Sequence, residues 1–241
     1  MNPFSLTGQT ALVTGANTGI GQAIACAMAR AGAHVIAAGR SSCAETMALT
    51  GGEALLLDLT DPMAARKVFD TRSIDILVNN AGIIRRADSV EFSEADWDDV
   101  MDVNLKATFF TCQAFARAAM ARGAGGRIVN IASLLSFQGG IRVPSYTASK
   151  HGVAGITKLL ANEWAARGIN VNAIAPGYIE TNNTEALRAD PERSRAILDR
   201  IPAGRWGQPD DIGEAAVFLA SSAARYIHGA ILNVDGGWLA R

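Results

Sequence analysis

The chain has 241 residues, of which 49% are hydrophobic and 19% charged, and its net charge is −1. This length predicts a single α/β domain over residues 1–241, with enough apolar side chains for a large core. A chain with a net charge near zero lacks the excess of basic residues that proteins use to bind nucleic acid or an anionic membrane. Neither is therefore expected as a partner. No run of about 18 apolar residues is free of charge or repeated glycine, which argues against a membrane span.

Cysteine and histidine usage bears on compartment and metal binding. Cys26, Cys43 and Cys112 are widely spaced and include no Cys-x-x-Cys pair, and the three histidines are isolated. This pattern favours a reducing compartment and predicts neither a disulfide nor a metal site. Residues 1–12 lack a basic region followed by an apolar stretch, so no signal peptide is expected. The sequence predicts a cytoplasmic protein.

Short apolar segments alternate with longer helical patterns along the chain. The predicted strands are residues 10–13, 35–38, 54–57, 74–78, 127–131, 170–175 and 231–234. The predicted helices are residues 21–31, 62–69, 93–121, 145–167 and 210–220, with room for one small helix between Arg40 and Glu53. This alternation predicts a single-domain, Rossmann-type, doubly wound parallel sheet of about seven strands with helices on both faces.

Residues 182–206 interrupt the alternation. The segment is rich in charge and contains Pro191 and Pro202. A long irregular segment late in such a fold is typical of a lid over a substrate. We therefore predict that residues 182–206 form a substrate lid.

A glycine-rich turn joins the first strand to the first helix. Residues 14–21 read Thr-Gly-Ala-Asn-Thr-Gly-Ile-Gly, so the glycines are Gly15, Gly19 and Gly21. Glycines permit a tight turn and let the backbone approach a pyrophosphate, which free N–H groups at the helix start then hold. A purely structural turn is the alternative, but the strand–turn–helix context favours a dinucleotide site that also includes Asn17, Thr18 and Ile20.

The end of the second strand bears on the choice of dinucleotide. An NAD site places Asp or Glu about 20 residues after the glycine turn, on the ribose 2′-hydroxyl. Here the sequence after Gly39 is Arg40, Ser41 and Ser42, with no acid. A guanidinium suits a 2′-phosphate, although Arg40 could instead be solvated or stack on the adenine. NADP is favoured, with NAD as the alternative.

Tyr146 and Lys150 are four residues apart on the predicted helix 145–167, for which Ser145 is the expected cap. Residues at i and i+4 share a helix face, and a nearby cation lowers the pKa of a phenol. Tyr146 would then exchange a proton with a carbonyl or alcohol oxygen. For this pattern alone, an ordinary surface pair is the simpler interpretation.

Together with Asn79-Asn80-Ala81-Gly82, Ser133 and Pro176-Gly177 in this order, these motifs make the chain resemble the short-chain dehydrogenase/reductases over essentially its whole length. The resemblance implies a catalytic tetrad of Asn104, Ser133, Tyr146 and Lys150. Asn104 would organise a water-mediated proton relay, and Ser133 would hydrogen-bond the substrate oxygen. Tyr146 would be the acid/base, and Lys150 would bind the nicotinamide ribose and lower the pKa of Tyr146.

The same resemblance implies further contacts to three parts of the cofactor. Asp58 and Leu59 would contact the adenine side, and Asn80, Ala81 and Gly82 would lie along the ribose. The carboxamide side of the nicotinamide would be held by Pro176, Gly177, Ile179 and Thr181. Residues 79–82 could also be a structural turn that holds the central sheet, and both roles can coexist.

Three stretches, residues 80–86, 200–207 and 234–241, are similar to one branch of the family, which acts on keto-deoxy sugar acids. That branch usually uses NAD, from which Arg40 departs. The resemblance implies that the chain interconverts an alcohol and a ketone on a sugar acid of the 2-deoxy-D-gluconate or 2-keto-3-deoxygluconate type. The alternatives are reduction of another carbonyl, such as a 3-oxoacyl thioester, and a non-catalytic scaffold, which the complete tetrad disfavours.

A sugar acid needs a cation for its carboxylate, and Arg85 or Arg86 is a candidate because both follow the residue 79–82 motif. Gln138, with Ser133 and Tyr146, is a second candidate contact. An exposed arginine pair near a subunit contact and a flexible turn at Gln138 are the respective alternatives. Trp206 is expected to pack under the lid.

Residues 108–120 are almost uncharged. A helix that is apolar on more than one face needs cover beyond its own sheet. The family resemblance implies a homotetramer, and a fully buried core helix is the alternative.

Overall fold

Seven parallel strands form one sheet in the part of the chain that the structure describes. The structure, a computed structural model, describes residues 2–241, except for the side chains of residues 62 and 63. The strands are β1 (Thr10–Thr14), β2 (His34–Gly39), β3 (Glu53–Leu56), β4 (Ile76–Asn79), β5 (Gly126–Ile131), β6 (Ile169–Pro176) and β7 (Ile231–Val234). Their order across the sheet is β3-β2-β1-β4-β5-β6-β7. The predicted doubly wound sheet is confirmed, with strand ends shifted by one or two residues.

Helices cover both faces of this sheet. They are α1 (Gly19–Arg30), α2 (Ala44–Thr50), α3 (Pro62–Thr71), α4 (Glu94–Met101), α5 (Ala107–Ala121), α6 (Pro144–Trp164), α7 (Glu185–Ala189), α8 (Pro191–Leu198) and α9 (Pro209–Ala220). The small helix expected between Arg40 and Glu53 is α2. The lid segment contains α7 and α8, two short helices that the sequence pattern did not reveal.

Alternating side chains of the central strands divide the core into two layers. Val13 and Ile76 pack with α1 and α9 in one buried cluster, whereas Leu12 and Leu77 pack with α5 and α6 in another. Neighbouring residues of a strand point to opposite faces, so both faces of the sheet must be covered by apolar helices. Phe115 of α5 is fully buried in the second layer, and burying such a side chain contributes about 1.5–3 kcal/mol.

The helix predicted over residues 93–121 is wrong in one respect, because it is not continuous. Ser93 caps α4, since its hydroxyl accepts from the Asp96 N–H at 3.1 Å. A π-helical turn, Asp102–Lys106, then separates α4 from α5 and carries the buried Asn104. Such turns insert one extra residue and often occur at functional sites. In this chain the turn places the Asn104 side chain where it hydrogen-bonds the backbone of Ile83.

The expected cap of α6 is also wrong. The helix begins at Pro144, which suits a first helical position because it lacks an N–H group. Ser145 is therefore inside the first turn and buried, and its hydroxyl has no hydrogen-bond partner.

The strand order places a crevice at the centre of the sheet. From β1 the chain proceeds outward to β2 and β3, and from β4 it proceeds the other way to β7. Ligands of such sheets bind where this direction reverses, beyond the carboxyl ends of the strands. No helix of the described chain is long and apolar enough to cross a membrane. No cluster of three or more potential metal ligands occurs among the described residues.

Candidate active site

One cavity of about 670 Å³ lies at the carboxyl ends of the strands. It is lined by all the residues predicted to bind the dinucleotide: Gly15, Asn17, Thr18, Gly19, Ile20, Gly21, Arg40, Ser41, Asp58, Leu59, Asn80, Ala81, Gly82, Tyr146, Lys150, Pro176, Gly177, Ile179 and Thr181. Ser133 and Gln138 also line the cavity, whereas Asn104 and Arg85 do not.

The glycine turn requires glycine for two separate reasons. Gly15 has a φ of 63°, and a Cβ there would lie 2.8 Å from the Cα of Ala81. A Cβ at Gly21 would collide with the carbonyl of Gly15. The amide of Asn80 donates to the carbonyls of Thr14 and Gly15, each at 3.0 Å. The Asn80 side chain therefore holds the turn in place through hydrogen bonds. A side chain at Gly15 or Gly21 would fill the space beside the turn.

The neighbouring Asn79 has a different role. Its amide donates to the Asn130 side chain at 2.9 Å and contacts the Cys112 sulfur at 3.1 Å, all of them buried. These contacts tie β4 to β5 and α5. Residues 79–82 thus combine a sheet-holding residue with cavity-lining residues, as the sequence suggested.

The start of α1 fits a pyrophosphate. Its capping residue, Thr18, makes no side-chain hydrogen bond to the helix, and the first turn contains no acidic residue. The first N–H groups of a helix have no partner within it and attract negative charge. Together with the space kept clear by Gly15 and Gly21, these groups form a cradle that suits the phosphates of a dinucleotide.

The opposite end of this cradle carries Arg40 and Asp58. The Asp58 carboxylate accepts from the N–H and hydroxyl of Thr60, both at 2.9 Å. These hydrogen bonds, with a smaller contribution from the charge of Arg40, hold the pKa of Asp58 below its ordinary value. Arg40 forms no salt bridge within the described chain, so its guanidinium is free to pair with a phosphate.

Ser133, Tyr146 and Lys150 come together in the wall of the cavity. Ser133 follows β5 and caps a short 3₁₀ turn, Leu134–Ser136. Lys150 is buried, and its ammonium donates to the carbonyl of Ile131 at 2.6 Å. The same ammonium lies 5.5 Å from the centre of the Tyr146 ring. The i, i+4 pair on α6 therefore does share the face that borders the cavity.

The pKa values at this pair differ from the sequence-based expectation. Burial raises the pKa of Tyr146, and the Ser133 hydrogen bond and the charge of Arg86 oppose this only in part. Burial lowers the pKa of Lys150 to about 8. The expected lowering of the Tyr146 pKa by Lys150 is thus wrong, because burial disfavours both charged forms. Tyr146 is a neutral phenol at neutral pH and can donate a proton.

Asn104 lies behind the cavity wall. Its side-chain oxygen accepts from the Ile83 N–H at 2.8 Å, and its amide donates to the Ile83 carbonyl at 2.9 Å and to the Ser149 hydroxyl at 3.3 Å. Ile83 lines the cavity. The Asn104 side chain therefore holds the cavity wall to the π-helical turn, and the relay that was predicted for it stays a prediction.

The side chains of Arg85 and Arg86 lie in different environments. Arg85 pairs with Asp96 at 3.3 Å and Asp99 at 3.0 Å on α4, away from the cavity. Arg86 lines the cavity and donates to the Asn183 carbonyl at 3.4 Å. Of the two candidates for a substrate carboxylate, the structure brings only Arg86 to the site.

Residues 182–206 contribute two more arginines that sequence reasoning missed. Arg193 and Arg200 line the cavity, and the Arg200 guanidinium lies 4.0 Å from the centre of the Trp238 ring. Trp238 donates from its indole N–H to Gln138 at 3.3 Å, which places the predicted Gln138 beside these arginines. Trp206 is buried in one cluster with Trp238 and Ile197, so it packs in the protein.

Comparison with known proteins decides the family. Residues 15–239 match the family model described as Enoyl-(Acyl carrier protein) reductase. A 2-dehydro-3-deoxy-D-gluconate 5-dehydrogenase of Dickeya dadantii is 55% identical over 100% of this chain and 99% of that protein. The chain belongs to the short-chain dehydrogenase/reductase family. The resemblance drawn from the motifs is confirmed, and the chain is accordingly an NAD(P)-dependent oxidoreductase.

Further relatives of this dehydrogenase/reductase point to the same branch. A 2-dehydro-3-deoxy-D-gluconate 5-dehydrogenase of Bacillus subtilis is 58% identical over 99% of this chain and 97% of its own length. A crystal structure from Agrobacterium tumefaciens, assigned as a 2-deoxy-D-gluconate 3-dehydrogenase and containing bound NADP, is 72% identical. The two structures superimpose over 100% of each chain with a TM-score of 0.97.

Proposed function

We propose that this dehydrogenase/reductase interconverts an alcohol and a ketone on a deoxy sugar acid of the 2-deoxy-D-gluconate or 2-keto-3-deoxygluconate type, with NADP as the favoured cofactor. One observation carries the proposal. Ser133 and Tyr146 share a single cavity with the dinucleotide cradle and with three arginines that have no carboxylate partner in the described chain. The names of the similar proteins support the same substrate class.

The charge at the substrate end of the cavity favours an acid. Arg86, Arg193 and Arg200 line that end, and the only acidic residue among the described lining residues is Asp58 beside Arg40. Uncompensated charges of one sign in a cleft attract a ligand of the opposite sign. A sugar acid supplies the missing carboxylate, and its hydroxyls can pair with the polar groups of the wall.

In the proposed reaction, the carbonyl carbon receives a hydride and the carbonyl oxygen receives a proton. Bound NADPH supplies the hydride in the reductive direction, and NADP⁺ takes it in the oxidative direction. The Tyr146 phenol donates its proton to the carbonyl oxygen as that oxygen becomes an alcohol, and water afterwards reprotonates the phenolate. The Ser133 hydroxyl donates a hydrogen bond to the same oxygen, where negative charge develops. The Lys150 ammonium beside the ring stabilises the phenolate while it exists.

Reduction of a 3-oxoacyl thioester is the competing function, because it would use the same reacting groups. The arginines at the substrate end favour a small anion over a neutral acyl chain. Initial rates with NADPH or NADP⁺ should be compared for 2-keto-3-deoxygluconate, 2-deoxy-D-gluconate and an acetoacetyl thioester. We expect the sugar acids to have the higher kcat/KM. Turnover of the thioester alone would show that the substrate proposal is wrong.

We propose that Arg40 and Ser41 select NADP by holding its 2′-phosphate. The NADP in the Agrobacterium relative supports this choice. Arg40→Asp should lower kcat/KM for NADPH by about 10- to 100-fold, since charge-assisted hydrogen bonds contribute about 1.5–3 kcal/mol. The new carboxylate should at the same time improve use of NADH through the ribose hydroxyls.

The measurement is the ratio of kcat/KM values for NADPH and NADH in both proteins. Arg66→Asp is the control, because Arg66 is exposed on α3 and does not line the cavity. An unchanged ratio in Arg40→Asp would remove Arg40 from the 2′-phosphate site.

We propose that residues 182–206 act as the substrate lid. The segment contributes Asn183, Arg193 and Arg200 to the cavity wall, and Ile197 and Ile201 anchor it on a small buried cluster with Trp206. A lid on such an anchor can move without disturbing the two main core layers.

We also propose a homotetramer in the cytoplasm. Trp97, Phe110 and Leu159 are exposed on α4, α5 and α6, which is a surface that a second copy of the chain would cover. The described chain has free thiols at Cys26, Cys43 and Cys112, which a reducing compartment would preserve. Light scattering after size exclusion would test the assembly, and a monomer would contradict it.

A further inference from the structure

We propose that Arg193 and Arg200 of the lid, together with the Tyr178 hydroxyl, form the binding site for the substrate carboxylate and thereby determine specificity for acids. This inference rests on the proposed function and assigns residues within it. Neither arginine belongs to the tetrad or to the dinucleotide cradle.

The two arginines lie near opposite ends of α8 and border the same cavity. Arg193 is in the first turn of α8, and Arg200 follows the end of that helix. Tyr178 follows the cavity-lining Gly177, and all three side chains contribute to the cavity wall. The positive charges of Arg200 and Arg193 both oppose the rise in the pKa of Tyr178 that burial causes. Both guanidinium groups therefore act on the same phenol from two separate elements.

This pair of arginines has no counter-ion in the described chain. Two other arginines of this region are paired, Arg188 with Glu180 at 3.9 Å and Arg205 with Asp211 at 2.7 Å. Arg193 and Arg200 form no salt bridge with any described residue. An anion bound near both guanidinium groups would supply the opposite charge that neither has in the described chain. A carboxylate is the anion that the proposed substrate provides.

Aromatic packing holds one of these donors in place before a ligand arrives. The Arg200 guanidinium stacks on Trp238, and the Tyr178 ring packs on the same indole with the two ring centres 4.8 Å apart. The indole is itself fixed by its hydrogen bond to Gln138. A stacked guanidinium keeps its in-plane N–H groups free for a carboxylate, and its fixed orientation reduces the entropy lost on binding.

Arg86 serves the other end of the substrate. Arg86 donates to the Asn183 carbonyl at 3.4 Å, and its charge acts on Tyr146, which would contact the reacting oxygen. Arg200 instead lies on the Trp238 ring with Tyr178. The phosphates of the dinucleotide are accounted for by the start of α1 and by Arg40. The carboxylate therefore belongs at the lid arginines.

The test separates binding of the carboxylate from lid structure. KM and kcat are measured for 2-deoxy-D-gluconate and for its neutral carboxamide, 2-deoxy-D-gluconamide, with wild type, Arg193→Met and Arg200→Met. Arg195→Met is the matched control, since Arg195 is exposed on the same helix and does not line the cavity. Binding of NADPH, followed by its fluorescence, reports whether the cofactor site is intact.

We expect each of the two variants to raise KM for the acid by about 10- to 100-fold, the loss typical of a charge-assisted hydrogen bond. We expect kcat to stay within about threefold of wild type, because the interaction does not change at the reacting carbon. KM for the amide and the affinity for NADPH should not change in either variant. Arg195→Met should match wild type throughout.

Two results would overturn the assignment. One is an unchanged KM for the acid in both variants, and the other is an equal loss on acid and amide, which would mean that the arginines only support the lid. If wild type turned over neither compound and also failed to turn over 2-keto-3-deoxygluconate, the proposed function itself would fail, and this assignment would fail with it.

Discussion

Tyr146→Phe should reduce turnover by about 10²–10⁴-fold, the range that a positioned acid or base supplies. The ring would remain, so the packing of α6 would be preserved, but no proton could pass between the side chain and the substrate oxygen. Binding of NADPH should stay close to that of wild type, because the glycine turn and the start of α1 form the cradle without this hydroxyl. Initial rates and cofactor fluorescence measure the two quantities separately.

Tyr226→Phe is the control for this change. It removes the same hydroxyl from a tyrosine that is 95% exposed and does not line the cavity, so we expect wild-type rates. If Tyr146→Phe kept its turnover within about tenfold of wild type, Tyr146 would not be the principal proton donor.

Lys150→Met should lower kcat by about 10²–10³-fold, the loss typical of one preorganised donor at a developing charge. The substitution keeps the length of the side chain but removes the ammonium that lies beside the Tyr146 ring and donates to Ile131. Lys158→Met, an exposed position on the same helix, is the matched control and should retain full activity.

The same variant should change how stability depends on pH. The pKa of Lys150 is about 8 in the folded chain, against 10.5 ordinarily. Between these values the unfolded chain binds more protons at this residue, so the free energy of unfolding should rise with pH. The rise in wild type relative to Lys150→Met should approach about 3 kcal/mol over the whole window. Urea unfolding at several pH values measures it, and parallel curves would contradict burial of the charged ammonium.

The sheet and the cofactor cradle could be predicted because their signals are local. The predicted strands are short apolar runs, and a parallel strand buried on both faces needs such a run. The glycine turn could be recognised because Gly15 and Gly21 meet steric requirements within one turn of chain. The i, i+4 spacing likewise predicted that Tyr146 and Lys150 share a face. Each of these features depends on residues that are close in sequence.

The features that were missed depend on contacts between distant residues. The adjacent Arg85 and Arg86 could not be distinguished from the sequence, because Asp96 and Asp99 on α4 draw only Arg85 away from the cavity. The high pKa of Tyr146 results from burial that the folded chain produces. In the sequence, Arg193 and Arg200 look like solvated charges of the lid. Only the structure reveals that neither has a salt-bridge partner among the described residues.

The central claim is that this cavity exchanges hydride between NADP and a deoxy sugar acid. The most direct test incubates the protein with 2-keto-3-deoxygluconate and NADP⁺ and follows the ultraviolet absorbance of the reduced nicotinamide. We predict formation of NADPH in a one-to-one ratio with the sugar acid oxidised, at a rate that Tyr146→Phe lowers by at least about 100-fold. No formation of NADPH with wild type, from this acid or from 2-deoxy-D-gluconate, would contradict the claim.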